Sequence, residues 1–551
     1  MNNVTLDCAF GPHTDEVLKQ MQDRKEYEGD NDYVEYPLPP LISTERMFSS
    51  VQEGMTPEKE RAFTIAHKAR TAMERGNYRD ADKMAYHALS IDPLCVDAWR
   101  VFCNYMNQIC EGDTVICAIR ELIHFSRQFY KKEFDECDGM FYSVSYTRPY
   151  IRLLSDIAIT AFQSDQLDVT IRAYEEIIRL NIHDNTGARN PLLACYLKII
   201  GRIRRIPSTR PIRTIQQAEQ LMTGQIDSET ESIFEDGNLT VRWAKLCIAY
   251  LQNKNWKDIA KEEYEKNDLI FKVIFNDIDV SQIQPEDPNH PESYVEGSKS
   301  EEVRALGGMI KQAMRDWPDF VIELCKLLKG KVTQQFIEQV ESETPDPESE
   351  LTTEHKEQMK MIAQHFLDQG RTTLSNRQFD QAIQCFTFAK RGYFESAQPS
   401  RRFYLHAPFA VVSNRATAAA YMNMWNLVRI DTRYTLAMKP DHAKSYLRLP
   451  KIAEGFKAKQ LYEIFQNIAQ KVESASVKED EEWKNLAKIA IGLTSVTAIA
   501  FAAAGILTEE KKEELIQTGI EDCFCPVNVG VEYPLLPWLN PSDIEQPIPN
   551  F

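Results

Sequence analysis

Residues 69–99, ARTAMERGNYRDADKMAYHALSIDPLCVDAW, couple two helix-forming runs through a turn of defined composition. This grammar limits the fold more than any other feature of the chain. Gly76-Asn77-Tyr78 makes the turn, since glycine and asparagine reach left-handed backbone at low cost. Ala69, Ala81 and Ala88 are small where the two helices must touch, and Pro93 closes the second helix. A single pair of this length cannot bury its apolar face alone, so neighbouring pairs must stack.

The same spacing returns in weakened form at 147–189, where Ala158 and Tyr174 hold the repeat positions and Ile182 stands in place of the closing proline. It returns strongly at 369–394, with Gly370, Phe379, Ala382, Phe386 and Ala389, and again at 413–441. A further helix is expected from about Asp441. These segments resemble tetratricopeptide repeats, although Ala85 replaces the usual aromatic residue of the first. That resemblance implies an all-α, helical-repeat (TPR-like) solenoid, here in two blocks, whose pairs wind into a right-handed superhelix with a concave, peptide-accepting groove.

Between the blocks, 243–267 and 300–330 keep helical periodicity without the repeat grammar, joined by the Pro-rich loop QPEDPNHPESY. The expected organisation is an irregular segment at 1–57, repeats at 58–225 and a non-consensus helical region at 226–335. An acidic linker follows at 336–358, then a second repeat module at 359–474. An Ala-rich apolar helix and Pro-rich tail occupy 475–551. The phrases EYPLPPL and EYPLLPW echo each other at the two ends as apolar strips able to lie along helices. Residues 60–330 also resemble, remotely, the suppressor-of-tumorigenicity-seven-like proteins. TRPYIR, YEEIIRLNIHDNTGAR and PESYVEGSKSEEVRALGGMIKQAMRDWPDFVIEL carry that resemblance. It implies helical repeats and no catalytic residues.

A net charge of −18 argues against a general nucleic-acid binder, which presents a basic face. Cys103, Cys110 and Cys117 recur at heptad spacing and read as small apolar residues of one buried stripe rather than metal ligands. No CxxC, GxGxxG, GxxxxGK[ST], HExxH or GxSxG occurs, so neither a cofactor, a metal nor an enzyme is expected. The Met1 region lacks the apolar core of a secretory signal, and a cytoplasmic or nuclear setting is expected.

The sharpest candidate site lies in KPDHAKSYLR, residues 439–448. Lys444 and Arg448 fall four apart on the helix expected there, a like-charge pair costing only a few tenths of a kcal/mol. Residues 361–472 resemble the TPR modules of co-chaperones that grip the C-terminal carboxylates of Hsp90 and Hsp70. By that resemblance Asn414, Lys444 and Arg448 match three of the five carboxylate-clamp positions. Leu367 and Arg371 stand where the family has lysine and asparagine, and only Arg371 retains a donor. An insertion, GYFESAQPSRRFYLH, also separates the first two helix pairs. The bland reading is a structural amide with two solvated cations over a stacked helix.

Two other segments admit two readings each. GRIRRIPSTRPIR is either an anionic-partner or localisation patch, or a loop paired with the protein's own carboxylates. IAIGLTSVTAIAFAAAGIL, residues 489–507, has no charge and the length of a membrane span, but its alanines equally suit a buried capping helix. RIDTRY and DNTGAR set acids beside arginines in a structural arrangement. The function expected is a non-enzymatic adaptor binding an extended acidic C-terminal peptide. The alternatives are a scaffold assembling a complex through broad solenoid faces, and an adaptor tethered by 489–507.

Overall fold

The computed structural model describes residues 56–203, 238–285, 298–343, 353–397, 407–474 and 479–524, less a few positions between helices and with Ala218 and Val477 besides. The N-terminal segment, the Pro-rich tail from Cys525 on, Ile182, the linker centre and most of the 392–406 insertion lie outside the described residues. The described chain is all-α, with no β-strand. By contacts it separates into two compact units, the boundaries falling after α6 and before α15 below.

The first unit begins with α1 (Pro57–Glu74), α2 (Tyr78–Ile91), α3 (Val96–Ile109), α4 (Gly112–Phe129), α5 (Lys131–Glu136) and α6 (Arg148–Gln163). Thr56 caps α1 by accepting from Lys59 N, Pro57 sits where no helical N–H is needed, and Glu58 and Glu60 face the positive end of the dipole. Ala69, Ala81, Ala85 and Ala88 are fully buried in the α1–α2 hairpin, so the unusual Ala85 serves the same close approach. The cysteine stripe is divided between helices: Cys103 is buried on α3, Cys110 caps that helix, and Cys117 lies half-buried on α4. Cys110 ends α3 in extended backbone, so the heptad does not follow one face.

The second unit comprises α7 (Leu167–Leu180), α8 (Arg189–Ile203), α9 (Leu239–Leu251), α10 (Trp256–Lys266), α11 (Asp268–Ile274), a 3-10 turn at Val280–Gln282, α12 (Lys299–Met314), α13 (Pro318–Lys329) and α14 (Gln334–Glu343). Residues 58–225, read from sequence as one run of repeats, are therefore shared between the units. Trp317 fills the space beside Gly201, where a Cβ would come within 2.5 Å of its ring, and donates to Leu197 O. Of the two readings of GRIRRIPSTRPIR, Arg202 follows the pairing with the protein's own carboxylates, though from the end of helix α8 rather than from a solvated loop. It is buried on Asp316 at 3.0 Å, with Lys198 at 3.3 Å from the same carboxylate. Arg204, Arg205, Arg210 and Arg213 lie outside the described residues. In DNTGAR, Asp184 accepts from Ala188 N, Arg189 N and Arg189 Nε, closing the turn before α8.

The chain then returns to the first unit through α15 (Thr353–Ser375), α16 (Phe379–Ala397), α17 (Phe409–Tyr421), α18 (Trp425–Met438), α19 (Ala443–Tyr446), α20 (Leu449–Gly455), α21 (Lys459–Glu473), α22 (Asp480–Leu493), α23 (Val496–Ala503) and α24 (Glu509–Phe524). Gly370 lies against Phe386, where a Cβ would come within 2.6 Å of the ring, which explains glycine at that repeat position. The helix expected from Asp441 is broken into α19 and α20. Pro450 contributes no N–H, and the chain restarts at Leu449 with Arg448 as the cap.

One turn recurs through both units. Gly76, Asn253, Arg377, Asn423 and Lys457 all adopt left-handed backbone, at φ 77, 50, 59, 59 and 57°. In each case the following N–H reaches the carbonyl five residues back: Asn77 to Ala72, Lys254 to Ala249, Gln378 to Thr373, Met424 to Ala419 and Ala458 to Ala453, at 2.8–3.0 Å. This is the Schellman closure of a helix. It also ties 243–267 to the repeat geometry, although that segment lacks the sequence grammar.

Within the first unit the early helices pack directly on the late ones. Trp99 stacks on Phe456 at 5.0 Å, and Tyr86 meets the same ring at 5.5 Å. Lys390 donates to Thr114 Oγ1, and Thr387 to the Ile109 carbonyl. The charged residues of RIDTRY are buried: Arg415 forks onto Asp431 with two 2.9 Å bonds, while Arg429 and Arg433 each reach Glu121 at 2.6 Å.

The apolar stretch 489–507 is not one helix. It divides at Thr494-Ser495 into α22 and α23, which bend by 65°. Ser495 caps α23 by accepting from Ala498 N, and Glu121 accepts from Val496 N. Among the described residues no single helix is long and apolar enough to cross a membrane, and residues 490–500 of this stretch are buried.

Candidate peptide-binding groove

Helix α17 carries Asn414, half-buried, on the same turn as the buried Ser413. Across from it, the Arg448 guanidinium enters from the cap of α20. Its Nη2 donates to Ser413 O at 3.0 Å and to Thr417 Oγ1 at 2.6 Å. Arg448 is thus set beside Asn414, with its donors directed to the flanking oxygens of α17. Burial of the guanidinium pulls its pKa down to about 10, opposed by the field of Asp431.

Lys444, on α19, is exposed. Two residues before it stands the half-buried His442, which no motif in the sequence singles out. Its Nδ1 is 2.9 Å from Ser445 Oγ, and its ring meets Phe409 at 5.5 Å. Lys439 Nζ lies 4.8 Å from the centre of the same Phe409 ring. His442 is pulled down to about 4, first by burial and then by the positive charges of Arg448, Lys439 and Lys444, with only Asp441 opposing. Four basic side chains therefore meet at one end of the module. The signal in the sequence was the compact KPDHAK run, whose histidine has no partner pattern of its own.

Arg371 stands apart from this cluster. It is exposed on α15 and pairs at 3.0 Å with Asp368, one turn back on the same helix. Leu367 is buried in the α15 packing face and serves the core. Among the described residues no group of three or more His, Cys, Asp or Glu side chains is arranged to hold a metal ion.

No family model matches the chain, and no curated protein matches it. Among solved structures it is similar to the crystal structure of the APC/C hetero-tetramer Cut9-Hcn1. The match has 12% sequence identity and a TM-score of 0.20, over 87% of this chain and 99% of that one. The helix pairs and their recurring turn carry the assignment as an all-α helical-repeat protein.

Proposed function

We propose that the protein is a non-enzymatic interaction scaffold, and that its α17–α20 face takes the acidic, carboxylate-ended tail of a partner. The observation that carries this reading is the gathering of Lys439, Lys444 and Arg448 around His442, whose positive charges add to burial in lowering the imidazole pKa to about 4, in a chain of net charge −18. Such a local positive field is costly without an anion and complementary to one.

In this reading Lys444 supplies the free ammonium and Asn414 the amide that meet the terminal carboxylate. Arg448 works from behind, fixing α20 on α17 and adding its field. Arg371, tied to Asp368, contributes only if it leaves that exposed pair, which is worth little. Chaperone tails of the Hsp90 and Hsp70 kind are the sharpest form of the proposal, because they end in acidic residues and a free carboxylate.

A second reading, assembly through broad helix faces, is favoured by the apolar side chains that α15 and α16 leave exposed. Met361 is 65% exposed, Phe388 51% and Ile362 46%.

The test is fluorescence anisotropy of a labelled chaperone C-terminal peptide titrated with the full chain, with the C-terminally amidated peptide as control. Micromolar binding that is lost on amidation and in Lys444→Glu supports the groove. Equal binding of both peptides, or none, removes it and leaves the scaffold reading.

A further inference from the structure

On the first helix pair of the same unit, Asp82 is a partly buried carboxylate on α2 that has no ion pair or hydrogen bond among the described residues. Most inward carboxylates of this protein have an arginine: Asp156 has Arg100, Asp431 has Arg415 and Glu121 has Arg429. Asp82 has none, and burial without compensation pushes its pKa up to about 7. A carboxylate held this way costs stability whenever it is charged.

Its surroundings have a consistent chemistry. One turn on, Tyr86 has a buried hydroxyl without a hydrogen-bond partner, turned toward the backbone N–H groups of Trp425 and Asn426 at the start of α18. One turn back, Tyr78 stacks on Tyr105 of α3 at 5.9 Å with planes 10° apart, and both rings are half-exposed. The Tyr105 hydroxyl feels the charges of Asp82, Asp380 and Arg79. Arg79 is occupied by Asp380 at 2.8 Å, and Arg429, whose field reaches Tyr86, by Glu121. Thus the arginines whose charges reach these two tyrosines are paired elsewhere, while the Asp82 carboxylate has no counter-charge.

We propose that the surface around Asp82 and the half-exposed Tyr78–Tyr105 stack, where α2 meets α3, receives a lysine or arginine side chain from a basic segment of a partner protein. The ammonium or guanidinium would pair with Asp82, and its stem would lie along the Tyr78–Tyr105 stack. Aromatic rings beside a carboxylate suit an alkyl-chain cation, and a partnerless acid gains the counter-charge the fold omits. This site is independent of the α17–α20 face and takes ligand of the opposite charge.

The experiment uses the full chain and a fluorescein-labelled tetralysine peptide with an amidated C-terminus, which offers no carboxylate to the other face. Saturable binding is expected, weakened about tenfold or more in Asp82→Asn, the size of one lost charge-assisted bond. Glu58→Gln, an exposed acid on α1, controls for attraction to a generally acidic surface. Binding should strengthen from about pH 6 to about pH 8 as Asp82 ionises, and that dependence should vanish in Asp82→Asn. An Asp82→Asn affinity within about twofold of the parent overturns the proposal, as does an equal loss in Glu58→Gln or no saturable binding at about 1 mM peptide. Thermal unfolding of Asp82→Asn, expected to be no lower than the parent, shows that a loss of binding is not a loss of fold.

Discussion

Glu121 and Arg429 meet at 2.6 Å although 308 residues separate them in sequence. The same carboxylate takes Arg433 and the backbone N–H of Val496, so one buried side chain joins α4, α18 and the first turn of α23. The two arginine charges outweigh the burial and hold Glu121 below its ordinary 4.5. Replacing it with glutamine leaves two buried guanidinium groups short of a counter-charge. Glu121→Gln is expected to lose about 3–5 kcal/mol in urea unfolding. Because the folded pKa is depressed, the carboxylate's contribution is present above 4.5 and lost as pH falls through the folded value. A variant as acid-sensitive as the parent would show that Glu121 is not the group responsible.

The recurring left-handed turn gives a second expectation. Gly76 occupies it without strain, but Arg377 and Lys457 hold the same backbone with a Cβ. Left-handed backbone costs a side-chain-bearing residue about 1–2 kcal/mol. Arg377→Gly and Lys457→Gly are therefore expected to raise stability by up to about 1 kcal/mol, after the added chain entropy, while Gly76→Ala lowers it by about 1 kcal/mol. Equal effects of the three changes in denaturant titrations would mean that the turns are not equivalent.

Gly455 makes a sharper steric case. A Cβ there would fall 2.3 Å from Trp425 Cδ1, and an indole cannot yield as a flexible chain can. Gly455→Ala is expected to cost about 1–3 kcal/mol by thermal unfolding. Trp425→Leu should restore part of that loss in the double variant.

The helical hairpins were legible because small residues at fixed offsets are a local signal. Ala69, Ala81, Ala88, Gly370 and Phe386 lie where the spacing put them. The hairpin at Asn253 was missed because its turn is a backbone conformation that asparagine adopts without the surrounding repeat residues. Pairing across the chain was not legible. Nothing in the sequence near Glu121 points to Arg429, since two charges a few hundred residues apart leave no periodic trace. At the candidate groove the residue types were readable but their directions were not. Arg448 turns inward, where Ser413 and Thr417 offer it oxygens, and Lys444 stays exposed on the short α19, whose buried residues are Ser445 and Tyr446.

Asp82 makes stability depend on pH in the opposite sense from Glu121. Its folded pKa, about 7, lies above the ordinary 3.8, so the folded state holds an extra proton between the two. Stability is thus greatest below 3.8 as far as this group alone decides, and falls as pH rises toward about 7. Asp82→Asn removes the charge and is expected to unfold at higher temperature than the parent at about pH 8, the difference shrinking toward about pH 5. An Asn variant that is less stable at alkaline pH would mean that the carboxylate is paired after all.

His442 reports on the groove directly. With its pKa near 4, the imidazole should remain neutral in an NMR titration where an ordinary histidine is half-protonated, near 6.5. The depression has two parts, burial and the three cations, and they separate by mutation. Lys444→Gln removes one cation and leaves the ring in place, so the His442 titration should move upward. A carboxylate-ended peptide bound at Lys444 should move it the same way, because the anion screens the cations that disfavour a second positive charge. The folded value lies below the unfolded one, so the stability that neutral His442 contributes is present above about 6.5 and declines as pH falls toward 4. If Lys444→Gln leaves the titration unmoved, the ammonium lies too far from the ring to act with Arg448, and the proposed carboxylate site loses its principal donor.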